Sequence, residues 1–212
     1  PDRKSFLHGM VSNDVQSVQA GSGNYSLLLT NKGKIVAEIW MLERGDDLLL
    51  LSPGDWREVI TKKLDKYLIM EEVEITDVSE NWALFGLFGP NLEERLASLM
   101  EFSLPGEEYA HVQGLFQDAE CTIVRLAVFG VDGYLILPTL DKSVDIWKSL
   151  VDAGIQPVGH SVIEMIRIEQ GVPICGKDLD LSVIPQEALL HHAISYQKGC
   201  YIGQETVARL HF

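Results

Sequence analysis

The sequence predicts an α+β fold with largely antiparallel sheets. Two observations carry that prediction: short polar turns join successive apolar strands as hairpins, and helices interrupt the strands without strict strand-helix alternation. Tyr25 to Thr30 reads as an apolar strand, Asn31-Lys32-Gly33-Lys34 as its turn, and Ile35 to Leu42 as its partner. Leu48 to Leu51 supplies the next strand. Ser52-Pro53-Gly54-Asp55 then offers an N-cap serine with an acid three residues on, the start signal of a helix. Trp56, Val59, Ile60, Leu64, Tyr67 and Leu68 recur at three- and four-residue steps and predict a buried helical face. Val73, Ile75 and Asp77 alternate as in a strand, and Trp82 to Phe88 reads as a strand buried on both sides and stopped by Gly89-Pro90. Leu92, Leu96, Leu99 and Met100 mark a second helix. Cys121 to Phe129 and Tyr134 to Leu137 form a strand pair about the turn Gly130-Val131-Asp132-Gly133, and Val144, Trp147, Leu150 and Val151 give a third helix ended by Gly154. Residues from about 46 to 154 therefore read as a βαββαβ-type module inserted between the halves of another unit. A fourth helix starts at the capping-box pattern Ser161-Val162-Ile163-Glu164 and runs to Gly171-Val172-Pro173. Glu101 to Asp118, rich in Gly, Pro and Glu, is the most loop-like stretch, whereas the polar turns from Cys175 to Glu187 resemble loops that serve sites.

Composition narrows the class. With 46% hydrophobic and 23% charged residues, the 212-residue chain falls in the globular range, and its length allows one domain or two small packed ones. The formal net charge of −14 repels phosphate backbones, which argues against direct nucleic-acid binding. No apolar run approaches the ~20 residues of a membrane span, so no membrane partner is expected. Cys121, Cys175 and Cys200 are odd in number and too far apart for a CxxC pair, as suits reduced thiols in a cytoplasmic setting. The chain stops at Arg209-Leu210-His211-Phe212 without a terminating element, which suggests that a further C-terminal domain follows.

The densest chemical candidate is Lys198-Gly199-Cys200-Tyr201-Ile202-Gly203-Gln204-Glu205. A cation two residues before a cysteine favours the thiolate, making Cys200 a nucleophile or a soft ligand; the alternative is a small buried thiol in a tight turn. Tyr201 and Gln204 can stack on and hydrogen-bond a heterocycle, or sit at the edge of a core. Adjacent His191 and His192 point in different directions and make a poor metal pair, and no other histidines share ligand spacing. GxSxG, HExxH, GxxxxGK[ST] and GxGxxG are all missing, so hydrolase, kinase and nucleotide-binding classes gain no support.

The octapeptide from Lys198 to Glu205 resembles the signature of the YgfZ-type folate-binding proteins, relatives of the glycine-cleavage T protein (aminomethyltransferase). Phe6-Leu7-His8-Gly9 through Ser12-Asn13-Asp14-Val15 resembles the family's N-terminal motif, and Leu29 to Lys34 its first hairpin. Phe88-Gly89-Pro90 is similar to the QGP turn of the T protein, and Arg167-Ile168-Glu169-Gln170-Gly171 with Pro173, Gly176 and Asp178 to its RLEAG…P…G…D stretch. The resemblance implies a split folate-binding domain 1 (1–45 and 155–212), a ferredoxin-like domain 2 (46–154), and a C-terminal barrel domain not contained in these residues. It also implies tetrahydrofolate (or a derivative) as cofactor, in a cavity between the domains. Asn13, Asp14, Tyr201, Gln204 and Glu205 become cofactor-binding candidates, with Cys200 as the reactive thiol and Lys198 as the group that favours its ionised form. Arg167 is the candidate partner of a folate carboxylate, or else the partner of a neighbouring Glu. The function so implied is a tetrahydrofolate-binding accessory protein supporting iron–sulfur cluster assembly or repair, including for radical enzymes that modify tRNA, with iron–sulfur proteins as partners. The acids that the transferase needs fall instead at Val59 and Leu135, which weakens the alternative of a folate-dependent aminomethyl or one-carbon transferase. A ligand-free interaction module for a basic partner is the third reading.

Overall fold

A computed structural model describes residues 1–100, 102–127 and 129–210. In chain order the regular elements begin with α1 (Arg3–Met10), β1 (Ser22–Leu29), β2 (Ile35–Glu43), β3 (Leu48–Leu51), α2 (Arg57–Asp65), β4 (Phe85–Phe88) and α3 (Leu92–Ala97). They continue with β5 (His111–Phe116), β6 (Ala119–Arg125), β7 (Gly133–Pro138), α4 (Ser143–Asp152), α5 (His160–Glu169) and α6 (Gln204–Arg209). The fold class is α+β, and the chain divides into one unit of Pro1–Ile75 with the residues from Pro173 onward, and a second of Thr76–Val172.

In the first unit, the hairpin read from the sequence forms as β1 and β2, antiparallel, with Tyr25 opposite Trp40 and Leu27 opposite Glu38; β3 extends the sheet along β2. One sheet face, with Leu28, Ala37, Ile39 and Met41, packs on Phe6, Leu7 and Met10 of α1 and on Ile60 and Leu64 of α2. Each fully buried aliphatic side chain contributes about 1.5–3 kcal/mol to that core. Several expectations need correction. α1 has only three buried apolar residues in eight, too short a periodic signal to stand out. The helix after Pro53 opens through a 3-10 turn, Gly54–Trp56, and no side chain caps α2. Val59, counted with the buried face, is 39% exposed, whereas Ile60 is 7% exposed. Val73 and Ile75 do bury against this core, yet the segment joins no strand: alternation captured the burial and not the pairing.

The second unit holds an antiparallel sheet in the order β4-β7-β6-β5. Its core gathers Leu87, Leu92, Leu96, Phe116, Ile123, Tyr134, Ile136, Ile146 and Leu150. Within 85–152 the element order is β-α-β-β-β-α rather than βαββαβ, because β5, β6 and β7 follow one another as hairpins. The β5–β6 turn places Gln117 and Asp118 in the left-handed region, at φ 48° and 65°. β5 lies inside the stretch expected to be loop; Glu101, at its start, is outside the described residues. Gly114 hid that strand, since the ring of Phe102 lies where its side chain would be, 2.6 Å from an added Cβ. Trp82 makes only an isolated bridge to Thr139 ahead of β4, and the strand expected over 121–129 ends at Arg125, with Val128 outside the described residues. α5 starts from extended Gly159 with no side-chain cap, so the capping box is not used.

The unit boundaries fall at 75/76 and 172/173 rather than near 45 and 155. Residues 46–75 stay with the first unit because β3 pairs with β2 and α2 fills its core. α5 stays with the second because Arg167 bonds Val172, and Gln170 and Val172 lie against Gly130. Among the described residues no helix is long and apolar enough to cross a membrane.

The two faces of α2 give a direct test. Ile60→Ala should lower unfolding free energy by about 2–4 kcal/mol in urea denaturation, and Val59→Ala by under about 0.5 kcal/mol. Equal losses would contradict the face assignment.

Candidate functional site

Lys198 is buried, and its ammonium donates to three main-chain carbonyls: those of His8, of Val11 at 2.7 Å and of Asn13 at 2.8 Å. These oxygens sit at and just beyond the C-terminal end of α1, where helices leave carbonyls without intrahelical partners. Burial lowers the Lys198 pKa to about 8, with Asp14 opposing. The three carbonyls also favour the charged form, as hydrogen bonds to an ionised group do. All three ammonium protons have acceptors, so Lys198 clamps the loop after α1. The ammonium also lies 4.9 Å from the ring centre of Tyr201, a cation–π contact.

The rest of the octapeptide continues the clasp. Ile202 donates its N–H to the carbonyl of Gly9 at 3.2 Å. Gly203, at φ 89°, turns the chain into α6 against the β1–β2 turn: a Cβ there would stand 2.5 Å from the Thr30 carbonyl oxygen. On the other side of the same turn, an added Cβ at Gly33 would meet Thr206 at 2.9 Å. Tyr201 is buried, and burial pushes its hydroxyl up to about 12, so it packs as a core residue beneath the clamp. Gln204 is half-buried at the start of α6; Glu205 is exposed and paired with Arg209 one turn on. Cys200 stands exposed on this braced loop, while Cys121 and Cys175 are buried, their thiols pushed up by burial to about 11 and about 12.

Asn13 and Asp14 both work on the loop itself. The Asn13 amide donates to the carbonyls of Tyr25 at 2.9 Å and His192 at 3.1 Å, and its own oxygen accepts the Asp14 N–H. Burial opposes ionisation of Asp14, but the N–H and hydroxyl of Ser17 and the N–H of Gln16 outweigh it and hold the carboxyl below its ordinary value. Burial, then the charge of Lys198, lowers the His8 pKa, and its Nδ1 accepts from the N–H groups of Val15 and Gln16.

Sequence reasoning missed a second cluster, on the sheet face opposite the α1–α2 core. Glu38, buried in the middle of β2, accepts the Tyr25 hydroxyl at 2.7 Å and the Cys175 N–H at 2.7 Å. Burial raises the Glu38 carboxyl above the ordinary glutamate value, against those hydrogen bonds. The Tyr25 ring stacks on His192 at 5.4 Å and tilts on Trp40 at 5.1 Å. The available signal was one acid inside the otherwise apolar run Ile35-Val36-Ala37-Glu38-Ile39-Trp40. Trp40 is half-buried and His192 exposed, so this face presents flat aromatic surface next to polar groups.

Arg167 belongs to the second unit. Its guanidinium forks onto Glu164, Nε to Oε1 at 2.9 Å and Nη2 to Oε2 at 3.0 Å, and Nη1 donates to the Val172 carbonyl at 3.2 Å. The internal ion pair is thus the arrangement formed, and a ligand carboxylate would have to displace Glu164. Leu135 lies half-buried on β7. A shallow hollow of about 360 Å³ in the second unit is lined by Trp82, Gln113, Leu115, Glu120 and Thr122, none of them an expected site residue.

Comparisons with known proteins agree on one family. The model of the GCVT N-terminal domain matches residues 1–198. A chloroplastic protein of Arabidopsis thaliana named as a transferase is 32% identical over 99% of this chain and 49% of its own length. The aminomethyltransferase of Rubrobacter xylanophilus is 26% identical over 99% of this chain and 57% of its own. The crystal structure of the glycine cleavage system aminomethyltransferase T from Bartonella henselae superposes with a TM-score of 0.86 at 21% identity, covering all of this chain and 59% of that one. The chain thus spans about half the length of these relatives.

Two substitutions test the geometry. Lys198→Met leaves three carbonyls without their donor and should lower unfolding free energy by about 2–4 kcal/mol; a loss below about 0.5 kcal/mol would refute the clamp. For Glu38 the native pKa is raised, so its contribution to stability is complete below the ordinary value of 4.5 and is lost as pH rises through the native value. Urea midpoints across that window should show this decline in the native protein and not in Glu38→Gln, whereas identical slopes would exclude it.

Proposed function

The chain belongs to the GCVT N-terminal domain family, and on that basis we propose that it binds tetrahydrofolate as a YgfZ-type accessory protein of iron–sulfur cluster assembly or repair. The observation that carries this reading is an exposed thiol, Cys200, on a loop braced from below by Lys198 and from the side by Gly203. A thiol meant only for packing belongs inside, as Cys121 and Cys175 are. Clients of such a protein include radical enzymes that modify tRNA.

The residues present fit a folate. Trp40 and His192 offer faces for its flat rings, and half-buried Gln204 offers an amide for a heterocycle edge. Tetrahydrofolate would supply its ring nitrogens as a carrier of a one-carbon unit; the chain's own residues would orient it. The rival reading, an aminomethyl transferase, draws on the names of the relatives. Against it, Val59 and Leu135 are not acids, and Glu58, next to Val59, is fully exposed and paired with Lys62 at 2.7 Å.

Three measurements on one preparation test the reading. Calorimetry should show tetrahydrofolate binding that Cys200→Ser retains and that Trp40→Ala weakens at least tenfold. Iodoacetamide should label Cys200 in the folded protein and the other two cysteines only on unfolding. No methylenetetrahydrofolate should form from an aminomethyl donor; turnover at about 1 per second or faster would establish the transferase instead. Failure to bind tetrahydrofolate would overturn the folate assignment.

A further inference from the structure

α4 carries two apolar faces. Ile146 and Leu150 face the core of the second unit, and a second stripe faces solvent: Leu140, in the 3-10 turn that leads into the helix, then Val144, Trp147 and Val151. These four are 52%, 61%, 45% and 39% exposed. Val144, Trp147 and Val151 fall at three- and four-residue steps on one face of α4, and Leu140 stands four residues ahead of Val144 in the turn that leads into it, the four-three-four spacing of a coiled-coil seam. Within the stripe the Trp147 ring packs tilted against Phe85 of β4, 5.7 Å between centres.

We propose that this stripe is a self-association surface on which α4 of one copy packs antiparallel against α4 of a second copy. The stripe reads the same from either end: turned about its midpoint near residue 145, Val144 meets Trp147 of the other copy and Leu140 meets Val151. That self-complementarity is what a two-fold interface requires. Charge points to the same occupant. Along the solvent edge of the stripe stand Asp141 and Lys148, seven residues apart and of opposite sign. In the antiparallel arrangement Asp141 of each copy comes opposite Lys148 of the other, giving two attractive pairs, whereas a parallel arrangement would leave the two on opposite flanks of the seam and unpaired. Lys148 is engaged within its own helix only by a long 3.9 Å approach to Asp145, and both are largely solvent-exposed. With only four apolar side chains from each copy at its centre the interface is at the small end, so association in the range of about 10–100 μM is expected.

Sedimentation velocity of the 212-residue chain from about 5 to 500 μM reads the association directly. A reversible dimer is expected, weakened at least tenfold by Val144→Glu, a substitution at the most exposed position of the stripe. Asp141→Lys and Lys148→Asp should each weaken the dimer severalfold, and the double variant should restore it. Circular dichroism melts check that each variant remains folded, and Val144→Ser, which adds no charge, serves if the glutamate variant does not. A monomer throughout the range, a dimer indifferent to Val144, or charge variants that fail to compensate would each overturn the proposal.

Discussion

A buried ammonium bound by three backbone carbonyls sets the arrangement of the first unit. Lys198 lies late in the chain and the carbonyls of His8, Val11 and Asn13 lie at its start, so this contact joins segments that are about 190 residues apart. Burying a charge costs several kcal/mol unless its hydrogen bonds are satisfied, and here every proton has an acceptor. The loop after α1 cannot relax without stranding that charge, and the Lys198–Glu205 segment cannot move without stranding the carbonyls. Ser12 bonds Leu27 in both directions, and Asn13 bonds the Tyr25 and His192 carbonyls, carrying the constraint to β1 and to the turn at 191–193. Cys200 stands on the outer side of this brace.

How much of the fold could be read from the sequence depended on the range of the signal. The β1–β2 hairpin was legible because strand pattern and turn chemistry are local, and both are strong between Tyr25 and Leu42. α4 was legible because its apolar residues repeat at helical spacing from Val144 to Val151, about two turns. β5 was not, since Gly114 breaks the pattern for a tertiary reason, the ring of Phe102. The unit boundaries were misplaced for a similar cause: nothing local to residues 46–75 shows that β3 will pair with β2, or that Ile60 and Leu64 will pack beneath it. Val59 was misread because a three-to-four-residue spacing admits neighbours at the edge of a face as readily as its centre.

The site was legible as a place more than as a set of roles. The octapeptide stood out, yet only Cys200 presents itself to solvent as a reactive group would. Lys198 and Tyr201 are turned inward, and Glu205 pairs on the surface of α6. Which side chain of a dense motif supports and which one acts depends on burial, and burial is a property of the folded whole. Glu38 went unnoticed for the converse reason: a single acid in an apolar strand is easily passed over, although burial is what raises its carboxyl and makes it chemically distinctive. The family relation is carried by the fold, which the chain shares with a glycine cleavage T protein at a TM-score of 0.86.

The clamp itself is open to direct observation. Nitrogen-15 NMR of the lysine side chains resolves ammonium groups whose protons exchange slowly with water, which happens when all three are hydrogen-bonded and shielded. At neutral pH Lys198 should give one such slowly exchanging signal, coupled by cross-relaxation to the aromatic protons of Tyr201 and absent in Lys198→Met. A Lys198 signal that exchanges as fast as those of the surface lysines, or that shows no proximity to Tyr201, would contradict the account.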